Sequence, residues 1–305
     1  MANLHDISRR MDSIKSTMQI TRSMEMISTA RIQAALARAQ EAGPYKEAIT
    51  RILANVAGAA SNIHEPLLES RDKVKSALFI LIGSDRGLAG GFNVIPERMV
   101  EREIRRLTAR GVECDLITCG RRPTEYFTSR GRMPGMSFVG ISSEPSQDEA
   151  DRIVSYVTDG YTSGRFDRVD IYYWHAKSRV DQELVVENLL PVSRGSLMMP
   201  NKPRDPEAMS LVRGTTGGGF EFEPSARSVL GYLIPAYLRT VVFHALLDSA
   251  AAEHGARRRA MQAATENAEQ VLSQLSHTYN RVRQGSITTE LNEIVGGASA
   301  LEEVS

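Results

Sequence analysis

Apolar side chains near the start of this chain fall at alternating steps of three and four. From Leu4 they recur at Ile7, Met11, Ile14 and Met18, the heptad spacing of a coiled-coil seam. Followed along its apolar residues, the register drifts through Ile20, Met24 and Ile27 and thins to Ala30, Ala34 and Ala37, small residues that let two helices approach closely. Gly43-Pro44 predicts a kink rather than an end, because Ile49, Ile52, Leu53 and Val56 resume a helical period.

A second long helix is predicted at the other end. After a short helix it begins at Pro235, a permitted first-turn position. Its seam reads Leu238, Val241 or Val242, Ala245, Ser249, Ala252, Ala256, Ala260, Ala263, Asn267, Val271, Leu275, Tyr279 and Val282. Carried to residue 295, it would be roughly 90 Å long at 1.5 Å per residue. A helix with one apolar stripe must bury it, so the two ends are expected to pair as an antiparallel coiled coil.

Between them the pattern changes. Residues 74–83 form a buried-strand run that ends at a Gly-rich turn, and an amphipathic helix follows over 94–110. Strands are predicted at 112–119, 137–140, 169–176 and 184–191, and helices at 123–129 and 146–162, the last opened by the capping box Ser146-Gln-Asp-Glu149. This alternation predicts an α/β domain of Rossmann-like type with a mostly parallel sheet. The expected division is a coiled-coil helix over 1–60, the α/β domain over 74–195, a flexible loop and short strand over 196–223, and the second coiled-coil helix over 224–305. Pro and Gly concentrate in 199–219, which gives the loop.

Composition narrows the function classes. With 37 basic and 37 acidic residues among 305, a globally basic nucleic-acid binder is excluded. The two cysteines, Cys114 and Cys119, sit five positions apart on one predicted strand, on opposite faces, and read as reduced core thiols. The opening Met1-Ala-Asn-Leu-His-Asp6 lacks an apolar leader, and no continuous apolar run reaches about 18 residues. A soluble or peripheral protein without membrane insertion is expected.

Candidate chemistry is sparse. Ser84-Asp-Arg-Gly-Leu-Ala-Gly-Gly-Phe-Asn93 lies between a strand and a helix, where dinucleotide enzymes hold phosphate. Its spacing is neither G-x-G-x-x-G nor a P-loop, so a structural turn is the stronger reading. The six histidines are scattered without helical metal-pair spacing, and neither a G-x-S-x-G elbow nor paired carboxylates point to a cleft. No catalytic, cofactor or metal residues are assigned. Arg257-Arg258-Arg259 reads as a solvated patch or a surface for an acidic partner, and residues 294–301 as a fraying end or an apolar plug for a socket.

Three blocks carry a resemblance. They are Ile14-Lys-Ser-Thr-Met-Gln-Ile-Thr-Arg-Ser-Met-Glu-Met26, the Ser84–Asn93 turn, and Ala263-Ala-Thr-Glu-Asn267 with Tyr279-Asn-Arg-Val-Arg-Gln-Gly-Ser-Ile-Thr-Thr-Glu-Leu-Asn-Glu-Ile-Val295. In that order they resemble the gamma subunit of the F-type ATP synthase over nearly the whole length. The resemblance implies a non-catalytic rotor shaft inside a ring of alternating alpha and beta subunits, seated on the epsilon subunit and the membrane c-ring. It implies a peripheral membrane protein coupling proton or sodium flow to ATP turnover without a cofactor of its own; the opening without a targeting segment reads as bacterial, on the cytoplasmic side of the cell membrane, with a mature organelle form the other reading. By motif, Arg283, Gln284 and Thr288 correspond to residues that engage a catch loop on beta, and Met24 and Arg257 to positions facing the beta lever. Ala89 stands where the family commonly has cysteine. Two other readings are a nucleotide-dependent enzyme with a helical dimerisation arm, which would need an intact phosphate fingerprint, and a coiled-coil scaffold unrelated to rotary motors.

Overall fold

A computed structural model describes residues 4–59, 64–193, 223 and 225–302, excluding the side chains of 59 and 296–302. The elements are α1 (Leu4–Ala59), β1 (Ser76–Ile82), α2 (Val94–Thr108), β2 (Glu113–Cys119), α3 (Arg121–Thr128), β3 (Met136–Phe138), α4 (Gln147–Thr162), β4 (Arg168–Ala176), β5 (Gln182–Leu190) and α5 (Ala226–Glu302). The predicted loop over 199–219 lies outside the described residues. The chain divides into two compact units, Thr29–Ala256 and Met1–Ser28 with Arg257–Ser305.

The Thr29–Ala256 unit is built on a five-stranded sheet of order β3-β2-β1-β4-β5. The first four strands are parallel, and β5 returns antiparallel along β4. Strand alternation sorts β1 cleanly. Leu78, Ile80 and Ile82 pack on one face with Ile49, Leu53 and Val56 of α1, Ile153 and Val157 of α4, and Leu230, Ile234 and Leu238 of α5. Ala77, Phe79 and Leu81 pack on the other with Val100, Ile104 and Leu107 of α2 and Phe127 of α3. Cys119 joins the first face and Cys114 the second, as their odd spacing requires. Capping of α4 follows the sequence: Ser146 and Glu149 form a reciprocal box.

The first long helix reaches as far as its resumed period predicts, and the second begins earlier than its local signals suggest. α1 continues through Gly43-Pro44, and α5 begins at Ala226 and runs through Pro235 without a separate short helix before it. A mid-helix proline removes one backbone bond and costs about 3 kcal/mol. Around Pro235 that cost is offset by burial of Leu230, Ile234, Tyr237 and Leu238 on the sheet. By length and composition α5 also passes for a membrane-crossing helix. Its apolar first half is instead a core helix, with Leu230 to Leu246 lying in the sheet's own cluster.

In the unit of Met1–Ser28 and Arg257–Ser305, the seam keeps strict heptad register. Leu4, Ile7, Met11, Ile14, Met18, Thr21 and Ser28 are buried or half-buried, whereas Ile20 and Ile27 are 61% and 55% exposed. The expected drift is therefore corrected at Ile20 and Ile27, which face solvent while polar Thr21 and Ser28 take seam positions; Met24 is half-buried, as expected. Each hydroxyl is satisfied by its own helix, Thr21 Oγ1 donating to Met18 O at 3.0 Å and Ser28 Oγ to Met24 O at 2.8 Å, so its burial leaves no unmet hydrogen bond. Thr21 meets Thr265 of α5, oxygen to oxygen, at 2.7 Å. On α5 the seam is Met261, Thr265, Ala268, Leu272, Leu275, Tyr279 and Val282, while Ala263, Asn267 and Val271 are exposed. The sequence reading holds at Leu238, Val241, Val242, Ala245, Ser249, Ala252 and Ala256, all buried, and again from Leu275 onward; between them Ala263, Asn267 and Val271 are one or two residues out of phase.

Candidate functional site

The Gly-rich turn after β1 is held by its own polar groups. Asn93 Oδ1 accepts from the Ser84 amide at 2.9 Å, and Asn93 Nδ2 donates to Ser84 Oγ at 2.7 Å. The Asp85 carboxylate accepts from the amides of Arg121 (2.9 Å), Gly140 (2.7 Å) and Ser142 (2.9 Å). Burial pushes this carboxyl up, but those amides together outweigh it and hold it below the ordinary carboxylate range. The carboxylate thus ties the turn to the first amide of α3 and to two amides just after β3.

Close packing accounts for the glycines. A Cβ at Gly83 would lie 2.9 Å from the Pro123 ring, and one at Gly91 would lie 2.9 Å from Ile95. Inside the turn Ala89 and Phe92 are buried, Phe92 stacks on Trp174, and Trp174 Nε1 donates to Phe92 O at 2.8 Å. The turn is a packed corner of the domain. Among the described residues no group of three or more His, Cys, Asp or Glu could hold a metal.

The residues singled out for partner contact all fall in the coiled unit, at two stations. Arg283, Gln284 and Thr288 are exposed on α5, with Thr288 Oγ1 donating to Gln284 O at 2.9 Å, which places those two on one face. Arg283 forms no ion pair among the described residues. Arg257, on the same helix, lies 26 residues away, roughly 40 Å at 1.5 Å per residue. It is only 7% exposed, and Arg258 and Arg259 are half-buried, so this basic run is not the solvated patch the sequence suggests. Met24, half-buried on α1, sits three residues beyond the Thr21–Thr265 level, within two turns of Arg257 along the coil.

Sequence reasoning missed Asp85 as the keystone of the turn and Thr21 and Thr265 as seam residues. The heptad count, carried through polar positions, would have found the two threonines.

A Rossmann-like α/β domain inserted between two long terminal helices, with a packed Gly-rich turn after its first strand, defines the class of fold. Solved structures share the fold. The central stalk and c-ring structure of the Tetrahymena thermophila mitochondrial ATP synthase contains a chain 22% identical, with 80% of this chain and 99% of that one covered and a TM-score of 0.56. In the rotor of the Euglena gracilis mitochondrial ATP synthase the match is 17% identical, covers 93% and 98%, and has a TM-score of 0.61. A second Euglena gracilis structure, of the OSCP/F1/c-ring assembly, matches at 16% identity, 98% and 94% coverage and a TM-score of 0.62. A family model described as ATP synthase matches residues 3–301. The chain belongs to the gamma family of the F-type ATP synthase, and is a central-stalk rotor subunit, a non-catalytic part of that membrane-associated complex.

Proposed function

We propose that this chain couples ion flow through a membrane c-ring to ATP synthesis or hydrolysis in a ring of alternating alpha and beta subunits. Protons are the ion in this reading, sodium being the other outcome. Residues 1–60 and 224–305 serve as the shaft and 74–195 as the part that engages the epsilon subunit and the c-ring. The location is the cytoplasmic face of a bacterial cell membrane, held there through partners. Coupling needs contacts that differ among the conformational states of beta, because a shaft that met every state alike would shift none of them.

The observation that supports this is the exposed polar turn of Arg283, Gln284 and Thr288, whose outward groups are available for hydrogen bonds that form and break as a partner surface passes. At the other station Met24 is half-open and Arg257 buried, so it presents less polar surface to beta. Exposed Ile294 and Val295 begin the apolar segment proposed to sit in a hydrophobic bearing.

The test is reconstitution. The chain should copurify with an alpha-beta hexamer and, alone, neither bind ATP tightly nor hydrolyse it; a stable ATPase without partners would refute the reading. Arg283→Ala with Gln284→Ala should slow ATP turnover of the complex several-fold and leave the helical content of the chain unchanged. Normal turnover would remove these residues from the catch.

A further inference from the structure

Two histidines aim the same atom at one buried carboxylate oxygen. His175, near the end of β4, brings Nδ1 to 2.7 Å from Asp248 Oδ2 on α5. His244, one turn earlier on α5, brings its Nδ1 to 3.4 Å from the same oxygen. Asp248 is 3% exposed, and a polar group buried so deeply is costly unless it is hydrogen-bonded. Among the described residues His175 is the one that bonds it, and His244 Nδ1 is buried without a hydrogen-bond partner.

The surroundings separate the two rings. Around His175 stand Asp248 and His244 of α5, Lys46 of α1 and Glu183 of β5, and Glu183 is itself paired with Lys177. Tyr173 of β4 also faces Asp248. The bond to Asp248 raises the affinity of His175 for its proton above the ordinary histidine value, against the opposing effects of burial and Lys46. Burial, then Lys46 and His175, push His244 down to about 4, and Asp248 only partly compensates. All these groups belong to the Thr29–Ala256 unit.

We propose that His175, Asp248 and His244 form a proton-operated clamp fastening the end of β4 to α5. The clamp is tightest when His175 alone carries a proton; losing that proton, or adding one to His244, loosens it. A group with a raised folded value stabilises fully below its unfolded value, near 6.5, and the benefit goes as pH rises through the folded value. For His244 the folded value is depressed, so its contribution is present above 6.5 and is lost as pH falls toward about 4. The two arms meet near pH 6.5. A depression of two and a half pH units corresponds to about a 300-fold change in the local opening constant on the acid side.

The inference stands on contacts within this chain and does not depend on the rotor reading. It is tested on the full chain by imidazole NMR of histidine-labelled protein, with hydrogen exchange of β4 and β5 amides corrected for intrinsic pH dependence. His175 should titrate above, and His244 well below, the ordinary value. Corrected exchange should be slowest near pH 6.5. His175→Gln should abolish the alkaline arm alone, His244→Phe the acid arm alone, and Asp248→Asn should return His175 to the ordinary value or lower. Titration of both histidines together at the ordinary value would overturn the clamp. So would a loss of protection in His175→Gln that is the same at every pH, since that is what a merely structural contact gives. The wild-type titration decides the matter even if Asp248→Asn fails to fold.

Discussion

Replacing Asp85 with alanine should unfasten the turn after β1. The side chain accepts three backbone amides at 2.7–2.9 Å, from Arg121, Gly140 and Ser142. A hydrogen bond to a charged acceptor contributes about 1.5–3 kcal/mol. Arg121 and Gly140 are exposed, so water takes over part of their bonding once the carboxylate is gone. The expected loss is therefore about 2–3 kcal/mol for Asp85→Ala and about 1–2 kcal/mol for Asp85→Asn, which keeps one acceptor. Trp174, the only tryptophan, bonds and stacks on Phe92 at the far end of the same turn. Its emission through a urea transition therefore reports the turn directly. Because the folded carboxyl lies below its ordinary value, the stabilisation is present above that value, and the difference between wild type and variant should narrow as pH falls through the folded value. An Asp85→Ala protein within 0.5 kcal/mol of wild type at neutral pH, or a difference that ignores acidification, would refute the assignment.

Other expectations follow from the same packing. Ile32 is 3% exposed on the seam side of α1, so Ile32→Ala should cost about 2–4 kcal/mol in denaturant unfolding, whereas Ile27→Ala should change stability by under about 1 kcal/mol. Gly120 has φ +110° and a Cβ there would lie 2.8 Å from the Gly83 backbone, so Gly120→Ala should lower the thermal midpoint by many degrees or prevent folding. Burial pushes the Cys119 thiol up to about 12, so maleimide near neutral pH should leave Cys119 unmodified in the folded chain and label it on unfolding, as mass spectrometry would show.

The sheet was legible because each buried strand is a short apolar run bounded by turn residues, and 74–83 and 169–176 fall on β1 and β4. The direction of β5 was not, since an apolar run carries no sign of which way it pairs. Heptad spacing showed the first helix, but counting apolar residues alone led the seam onto Ile20 and Ile27. The structure shows why: threonine and serine can hold a seam when their hydroxyls bond the preceding turn. Asp85 was invisible for a different reason. Three amides from separate parts of the chain converge on it, and nothing local distinguishes it from a surface aspartate. Arg283, Gln284 and Thr288 came from motif resemblance, and their exposure agrees with a surface role; Arg257 came the same way and is buried, because helix position alone does not report what packs beside it.

Among the described residues the sheet ends on one side at β3, which has three residues, and on the other at β5, which places Glu183 and Glu187 along its length. Unpaired strand edges are templates for runaway pairing with other chains, and shortness or charge blunts them. A chain with such edges offers neighbouring copies little to join, so the outline of the sheet itself guards the free chain against aggregation.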